Sequence, residues 1–176
     1  LKSFYFIETS TYNDKIYHYN ECLYCGCLYQ IEDDTENFSD KLTSLSKVEI
    51  NEIENWRDSR KDCFVKDFKK ITKIIPTQSI KKWLDVGTAD GLVVEMLNQM
   101  GINISGIEPS NYYFRFAKRN NLPVEQLFLE EKSGTFDVVS LFDVLEHIND
   151  TKNLIVNINR VLQRGGYLIL RVPNTL

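Results

Sequence analysis

Apolar positions in this chain recur first at helical steps and then in short continuous runs, and that alternation predicts its architecture. Ile53, Trp56, Arg60, Phe64, Phe68, Ile71 and Ile75 fall on one helical face, with Glu52, Arg57, Asp58, Lys61, Lys66, Lys69 and Lys70 opposite. Pro76 stops that helix. Strands are then predicted at 83–86, 103–107, 123–125, 136–142 and 167–172. Between them the spacing predicts helices over 91–100, 110–120, with Ser110 as N-cap after Pro109, and 151–163. In the last of these Leu154, Ile155, Ile158, Val161 and Leu162 point inward, and Gly165-Gly166 closes it. Strands and helices taking turns in this way predict an α/β fold with a doubly wound, mostly parallel sheet.

Ahead of the helix lies a different kind of sequence. Phe4-Tyr5-Phe6-Ile7 and Lys15-Ile16-Tyr17-His18-Tyr19 read as two short strands around the turn-forming Tyr12-Asn13-Asp14. Cys22-Leu23-Tyr24-Cys25-Gly26-Cys27 follows, a C-x-x-C before glycine, the form in which a tight turn brings two thiolates to one tetrahedral zinc. One pair is half a site. Further ligands would be His18, Cys27 or Cys63, or a pair upstream of Leu1, and the alternative is reduced cysteines without metal. The pattern thus divides the chain into a small cysteine-containing β segment at 1–35, a helical connector at 36–78 and an α/β domain at 79–176.

Composition narrows the classes of function. At 176 residues, 43% hydrophobic and 26% charged, the chain has the make-up of a soluble globular protein with room for one sizeable core. The net charge of -4 and the lack of a clean basic block argue against a nucleic-acid partner. No apolar run reaches bilayer-spanning length, and no signal-peptide pattern opens the chain, so a cytoplasmic address is expected. A start at Leu1 instead of Met suggests a fragment.

The candidate chemistry gathers at strand ends. Trp83-Leu84-Asp85-Val86-Gly87-Thr88-Ala89-Asp90-Gly91 reads as a buried strand running through a carboxylate into a glycine turn and then a helix. Glycines there let the backbone bend sharply and a ligand come close, and helix-start N–H groups face it. Dinucleotide enzymes use G-x-G-x-x-G. This loop is one residue shorter, and Asp85 at its entrance would repel a pyrophosphate but suits the ammonium of an amino-acid tail. Roughly twenty residues on, the second strand ends in Glu108, placed to accept both hydroxyls of a ribose.

These residues resemble the class I S-adenosylmethionine-dependent methyltransferases, whose first motif is [DE]-x-G-x-G-x-G; here Ala89 replaces the middle glycine. The likeness extends through 136–148, Leu162-Gln163-Arg164-Gly165-Gly166-Tyr167-Leu168 and Arg171-Val172-Pro173-Asn174. It implies a Rossmann-like sheet truncated after its fifth strand, since the family sheet has seven. It further implies S-adenosylmethionine or S-adenosylhomocysteine as cofactor and a small-molecule methyl acceptor. Carried over, Asp85, Gly87, Thr88, Ala89 and Gly91 hold the methionine moiety, and Glu108, followed by Pro109 and Ser110, the ribose. Glu125 or Gln126 would flank the adenine, and Phe142 with Asp143 would form the floor under the sulfonium. The Cys22-x-x-Cys25 pair looks like the second of two pairs that many bacterial relatives carry.

Three roles stay open for His147. It is a general base for an acceptor proton, a brace with Glu146 for the loop after the fourth strand, or a ligand with Asp143 and Glu146 of a divalent cation, as in the ubiquinone-pathway O-methyltransferases that this spacing resembles. Competing functions are a nicotinamide-dependent oxidoreductase on the same fold and a degenerate domain acting as a binding module.

Overall fold

The structure, a computed structural model, describes residues 4–12, 15–22, 28–30 and 50–173, with side chains from Ile53 onward. The chain divides into two units, 1–37 and 38–176. In the first, β1 (Phe4–Tyr12) pairs antiparallel with β2 (Lys15–Cys22), and β2 pairs antiparallel with β3 (Leu28–Gln30). The two expected strands are therefore longer, and a third joins them. Cys22 closes β2, whereas Cys25 and Cys27 lie outside the described residues.

The second unit begins with α1 (Ile50–Ile74). The sheet follows: β4 (Trp83–Val86), β5 (Ile104–Ile107), β6 (Val124–Glu125), β7 (Phe136–Phe142) and β8 (Leu162–Arg171), in the order β6-β5-β4-β7-β8 and parallel throughout. Between them run α2 (Leu92–Gln99), α3 (Asn111–Arg119) and α4 (Thr151–Val161). The strand order reverses beside β4, so the site side of the sheet opens there. Side-chain alternation on β4 feeds both layers. Trp83 joins Phe64 and Phe68 of α1, Val94 and Leu97 of α2 and Ala117 of α3 on one face. Leu84 and Val86 join Leu154, Ile158 and Val161 of α4 on the other. Among the described residues no helix is long and apolar enough to cross a membrane.

Helix α1 departs from its predicted faces at one decisive place. Arg57, expected on the polar side, is only 7% exposed. Its guanidinium donates to the backbone oxygen of Asp90 at 2.8 Å and to Oδ1 at 3.0 Å, and also pairs with Glu95. Arg60 pairs with the other oxygen of Asp90, and the Leu92 N–H donates to Oδ1 at 2.8 Å. Asp90 is fully buried, and burial pushes its carboxyl above the usual range while both guanidiniums pull it back. Hydrophobic periodicity could not see this pair, because a buried ion pair breaks the rule that periodicity relies on.

Three smaller corrections have equally local causes. Ser110 stands at the N-cap of α3, but its hydroxyl makes no capping bond. Ile155 is 49% exposed and Asn157 takes its place inward, donating to the Asn153 carbonyl at 3.0 Å. Gly165-Gly166 does not cap α4, which ends at Val161 and passes straight into β8. The register against β7 shifts between Phe136 and Val138, and a Cβ on Gly166 would stand 2.7 Å from the Asp137 carbonyl oxygen. The glycine is needed for that close approach.

Asp90→Ala would leave the buried Arg57 and the half-buried Arg60 without this carboxylate. It is expected to destabilise the domain by about 3–5 kcal/mol, read as a lowered urea midpoint. Asp90→Asn, which keeps the bond from Leu92, should cost less than the alanine.

Candidate functional site

The carboxyl ends of β4, β5 and β7 surround a cavity of about 450 Å³. That lies within the usual range for small-molecule sites. The loop after β4 is stitched to its neighbour: the Gly87 and Thr88 N–H groups donate to the Ile107 carbonyl at 2.9 and 3.1 Å. Gly87 has φ 65, and a Cβ there would lie 2.8 Å from Val144 Cγ2, so both conformation and space call for glycine. Ala89 takes φ 48 with a side chain present, a strained choice for an L-residue. What holds it is Glu108, which accepts from the Ala89 N–H at 2.8 Å and from the Ser110 N–H at 2.8 Å. One carboxylate thus ties the β4 loop to the β5 loop.

Asp85 and Glu108 are 1% and 3% exposed, and both line the cavity. Burial pushes the Asp85 carboxyl up to about 7, against the pull of a bond from Ser140, with the Glu108 charge adding to the rise. Burial likewise pushes Glu108 up to about 7, against the two N–H bonds it accepts. A water-poor pocket holding two carboxyls near neutrality suits a cationic ligand, whose arrival favours their ionised forms.

Of the residues singled out in the sequence, Asp85, Gly87, Thr88, Ala89, Glu108, Pro109, Phe142, Asp143 and His147 line this cavity. Gly91 is set back as the N-cap of α2, and Ser110 contributes its backbone N–H to Glu108. Neither of the two adenine-flanking candidates lines the cavity. Glu125 is exposed and pairs with Lys132, and Gln126 donates to the Pro109 carbonyl at 3.4 Å, while Leu127, Phe128 and Leu129 supply the wall. Asp143 takes φ 57 and its carboxylate is held by Arg171, at 3.0 Å from Nε and by a second bond from Nη2. Asp143, Glu146 and His147 do not share a helical turn; a 3₁₀ turn, Leu145–His147, follows β7 instead. No three His, Cys, Asp or Glu side chains among the described residues form a metal-holding group.

The roof comes from α1 and α3. Trp56, Arg60 and Phe64 of α1 and Tyr113 of α3 line the cavity. Arg60 lies 3.3 Å over the Trp56 ring, Trp56 and Tyr113 are 6.0 Å apart, and Phe64 meets Phe142 edge-on at 5.4 Å. The signal was present as the apolar stripe, but a stripe facing a cavity and one facing a core look alike in sequence. Trp56 betrays the difference by staying 42% exposed.

A family described as "Methyltransferase domain" matches residues 46–176. The chain belongs to this family. Among curated relatives, the Ubiquinone biosynthesis O-methyltransferase of Pseudomonas aeruginosa (strain UCBPP-PA14) is 31% identical over 105 residues, covering 53% of this chain and 45% of that protein. The methyltransferase domain thus spans about half the length of the curated relatives it matches. Its fold is that of Streptomyces venezuelae DesVI, at TM-score 0.61 and 16% identity over 72% of this chain and 58% of that one. The plantazolicin methyltransferase BpumL, solved with SAH, matches at TM-score 0.56 and 16% identity over 76% of this chain and 56% of that one.

Asp85 and Glu108 both hold their protons more tightly in the folded domain than in the unfolded chain, whose values are 3.8 and 4.5. Their contribution to stability is therefore complete below about pH 4 and is lost as the pH rises through 7. Urea midpoints measured from pH 5 to 8 should fall across that window, and Glu108→Gln should flatten the fall. Ala89→Gly should raise the midpoint, since relief of roughly 1–2 kcal/mol of left-handed strain exceeds the entropic cost of glycine.

Proposed function

We propose that this domain binds S-adenosylmethionine in the cavity beyond β4, β5 and β7 and transfers its methyl group to a small-molecule acceptor. The carrying observation is the pair of buried carboxyls, Asp85 and Glu108, on adjacent strand ends beneath an aromatic roof. The ligand is a cation with an ammonium, a sulfonium, a ribose and an aromatic base, and the residues present fit each part. Asp85 and the loop at Gly87–Ala89 take the amino-acid end, and Glu108 keeps lone pairs beyond its two N–H bonds for ribose hydroxyls. Aromatic faces at Phe64, Phe142, Trp56 and Tyr113 attract positive charge.

When bound, the cofactor supplies an electrophilic methyl group. The chain's own work is to hold the acceptor in line with that methyl and to keep water out. Phe142 and Asp143, the latter fixed by Arg171, form the wall after β7 where such an acceptor would approach. His147 lines the same cavity and is exposed, so it can take an acceptor proton and pass it to solvent. The O-methyltransferase names of the curated relatives support an acceptor oxygen, whose proton must be removed. Separately, the Cys22-x-x-Cys25 spacing carries a proposal of zinc ligation on sequence alone; elemental analysis of the purified chain tests it, with metal-free protein leaving reduced thiols.

Calorimetry with S-adenosylmethionine and with NAD, run separately, tests the reading. S-adenosylmethionine should bind, more tightly as the pH rises through 7 and the carboxyls ionise, and Glu108→Ala should weaken it by about 1.5–3 kcal/mol. Binding of NAD alone would overturn the proposal. In a protein that turns over, His147→Ala should lower the maximal rate roughly 10²–10⁴-fold while leaving cofactor affinity near wild type. Full turnover after correction for thermal stability would assign His147 to bracing, and loss on EDTA treatment restored by Mg²⁺ would assign it to a metal.

A further inference from the structure

Beneath the cavity a buried chain of three side chains crosses from β4 to β7. The indole Nε1–H of Trp83 donates to Ser140 Oγ at 2.8 Å, and Ser140 Oγ–H donates to Asp85 Oδ1 at 2.6 Å. Strand register makes this possible: Asp85 stands opposite Ser140 and Trp83 opposite Val138, so all three polar groups share one face of the sheet. Trp83, Ser140 and Asp85 are at most 1% exposed, so solvent takes no part.

An indole N–H can only donate, so it takes one lone pair of the serine. The serine's single proton is then turned to Asp85, where Oδ1 accepts it at 2.6 Å. A hydroxyl donating to a carboxyl favours its ionised form. We propose that Ser140, oriented by Trp83, is a positioning residue whose hydroxyl donates to Asp85 Oδ1 and so favours the ionised carboxyl when a cation reaches the cavity. This rests on the reading of the cavity as an S-adenosylmethionine site, where Asp85 faces the amino-acid end.

Other charges act on the same carboxyl and have to be separated from the serine. Glu108 at the end of β5 opposes its ionisation, and Arg171 from β8 favours it. Arg60 of α1, Asp143 after β7 and His147 line the same cavity, while Asp90 in the adjoining loop is occupied by Arg57 and Arg60. None of them touches Oδ1. Ser140 binds that oxygen at 2.6 Å, and the Thr88 hydroxyl of the adjoining loop also favours the ionised carboxyl, so the effect of removing Ser140 is read beside that of Thr88→Val.

The chain holds two tryptophans, Trp56 and Trp83, so Trp56→Phe leaves Trp83 as sole reporter at the far end of the relay. In that background, emission of the ligand-free protein should titrate near neutrality, the titration should vanish in Asp85→Asn, and it should survive Glu108→Gln. Ser140→Ala should move it upward by about one to two pH units, the effect of losing a bond to a charged carboxylate. Ser140→Thr, which restores the hydroxyl, should return it. With S-adenosylmethionine added, Ser140→Ala should weaken binding about tenfold at pH 6.5 and little at pH 9. An unmoved titration in Ser140→Ala, its persistence in Asp85→Asn, or an equal loss of binding at both pH values would overturn the proposal. A shifted titration in a protein that binds no S-adenosylmethionine would instead uphold the relay and sink the ligand assignment.

Discussion

Asp90 is the point on which the domain turns. A fully buried carboxylate within a tight loop is untenable without partners, and its partners come from two different helices. The Leu92 N–H fixes the start of α2, while Arg57 and Arg60 fix α1 over the loop. Because the two arginines are anchored there, Arg60 and its neighbours Trp56 and Phe64 are delivered to the cavity as a roof. One charge therefore decides where the loop bends, where a helix begins and what covers the cavity.

A second carboxylate does the same on the floor. Glu108 receives one N–H from the β4 loop and one from the β5 loop, and this accounts for Ala89 in a backbone region that favours glycine. Replacing the middle glycine of the motif with alanine adds a methyl group but removes no N–H. The bond that defines the loop survives the change. Burial holds both strand-end acids, Asp85 and Glu108, near the neutral point.

Strands, helices and the loop between Asp85 and Gly91 were legible because they follow from local patterns: continuous apolar runs, helical steps and glycine spacing. The parallel five-stranded sheet followed from their alternation. What local pattern could not carry were choices made by distant partners. Arg57 looks like a solvent-facing helix residue until Asp90, 33 residues on, is folded against it. Gly165-Gly166 reads as a helix cap until the Asp137 carbonyl is seen to need the space. Glu125 reads as a lone strand-end acid until Lys132 is folded against it, and Asp143 likewise until Arg171 is. In each case the sequence shows the group and hides its partner.

Arg171 carries one more consequence, for the order in which the chain is completed. It sits near the end of β8, yet it pairs with Asp67 of α1 across 104 residues and stacks 4.1 Å over Phe64. The amino-terminal half of that helix finds its Asp90 anchor only 33 residues downstream. In a polypeptide made from its amino terminus, α1 can therefore fasten at one end soon after β4 emerges. Its other end must wait for β8. Until β8 is added, Asp67, Phe64 and the acid after β7 lack their shared cation, so the Arg171 side of the cavity forms later than the Asp90 loop.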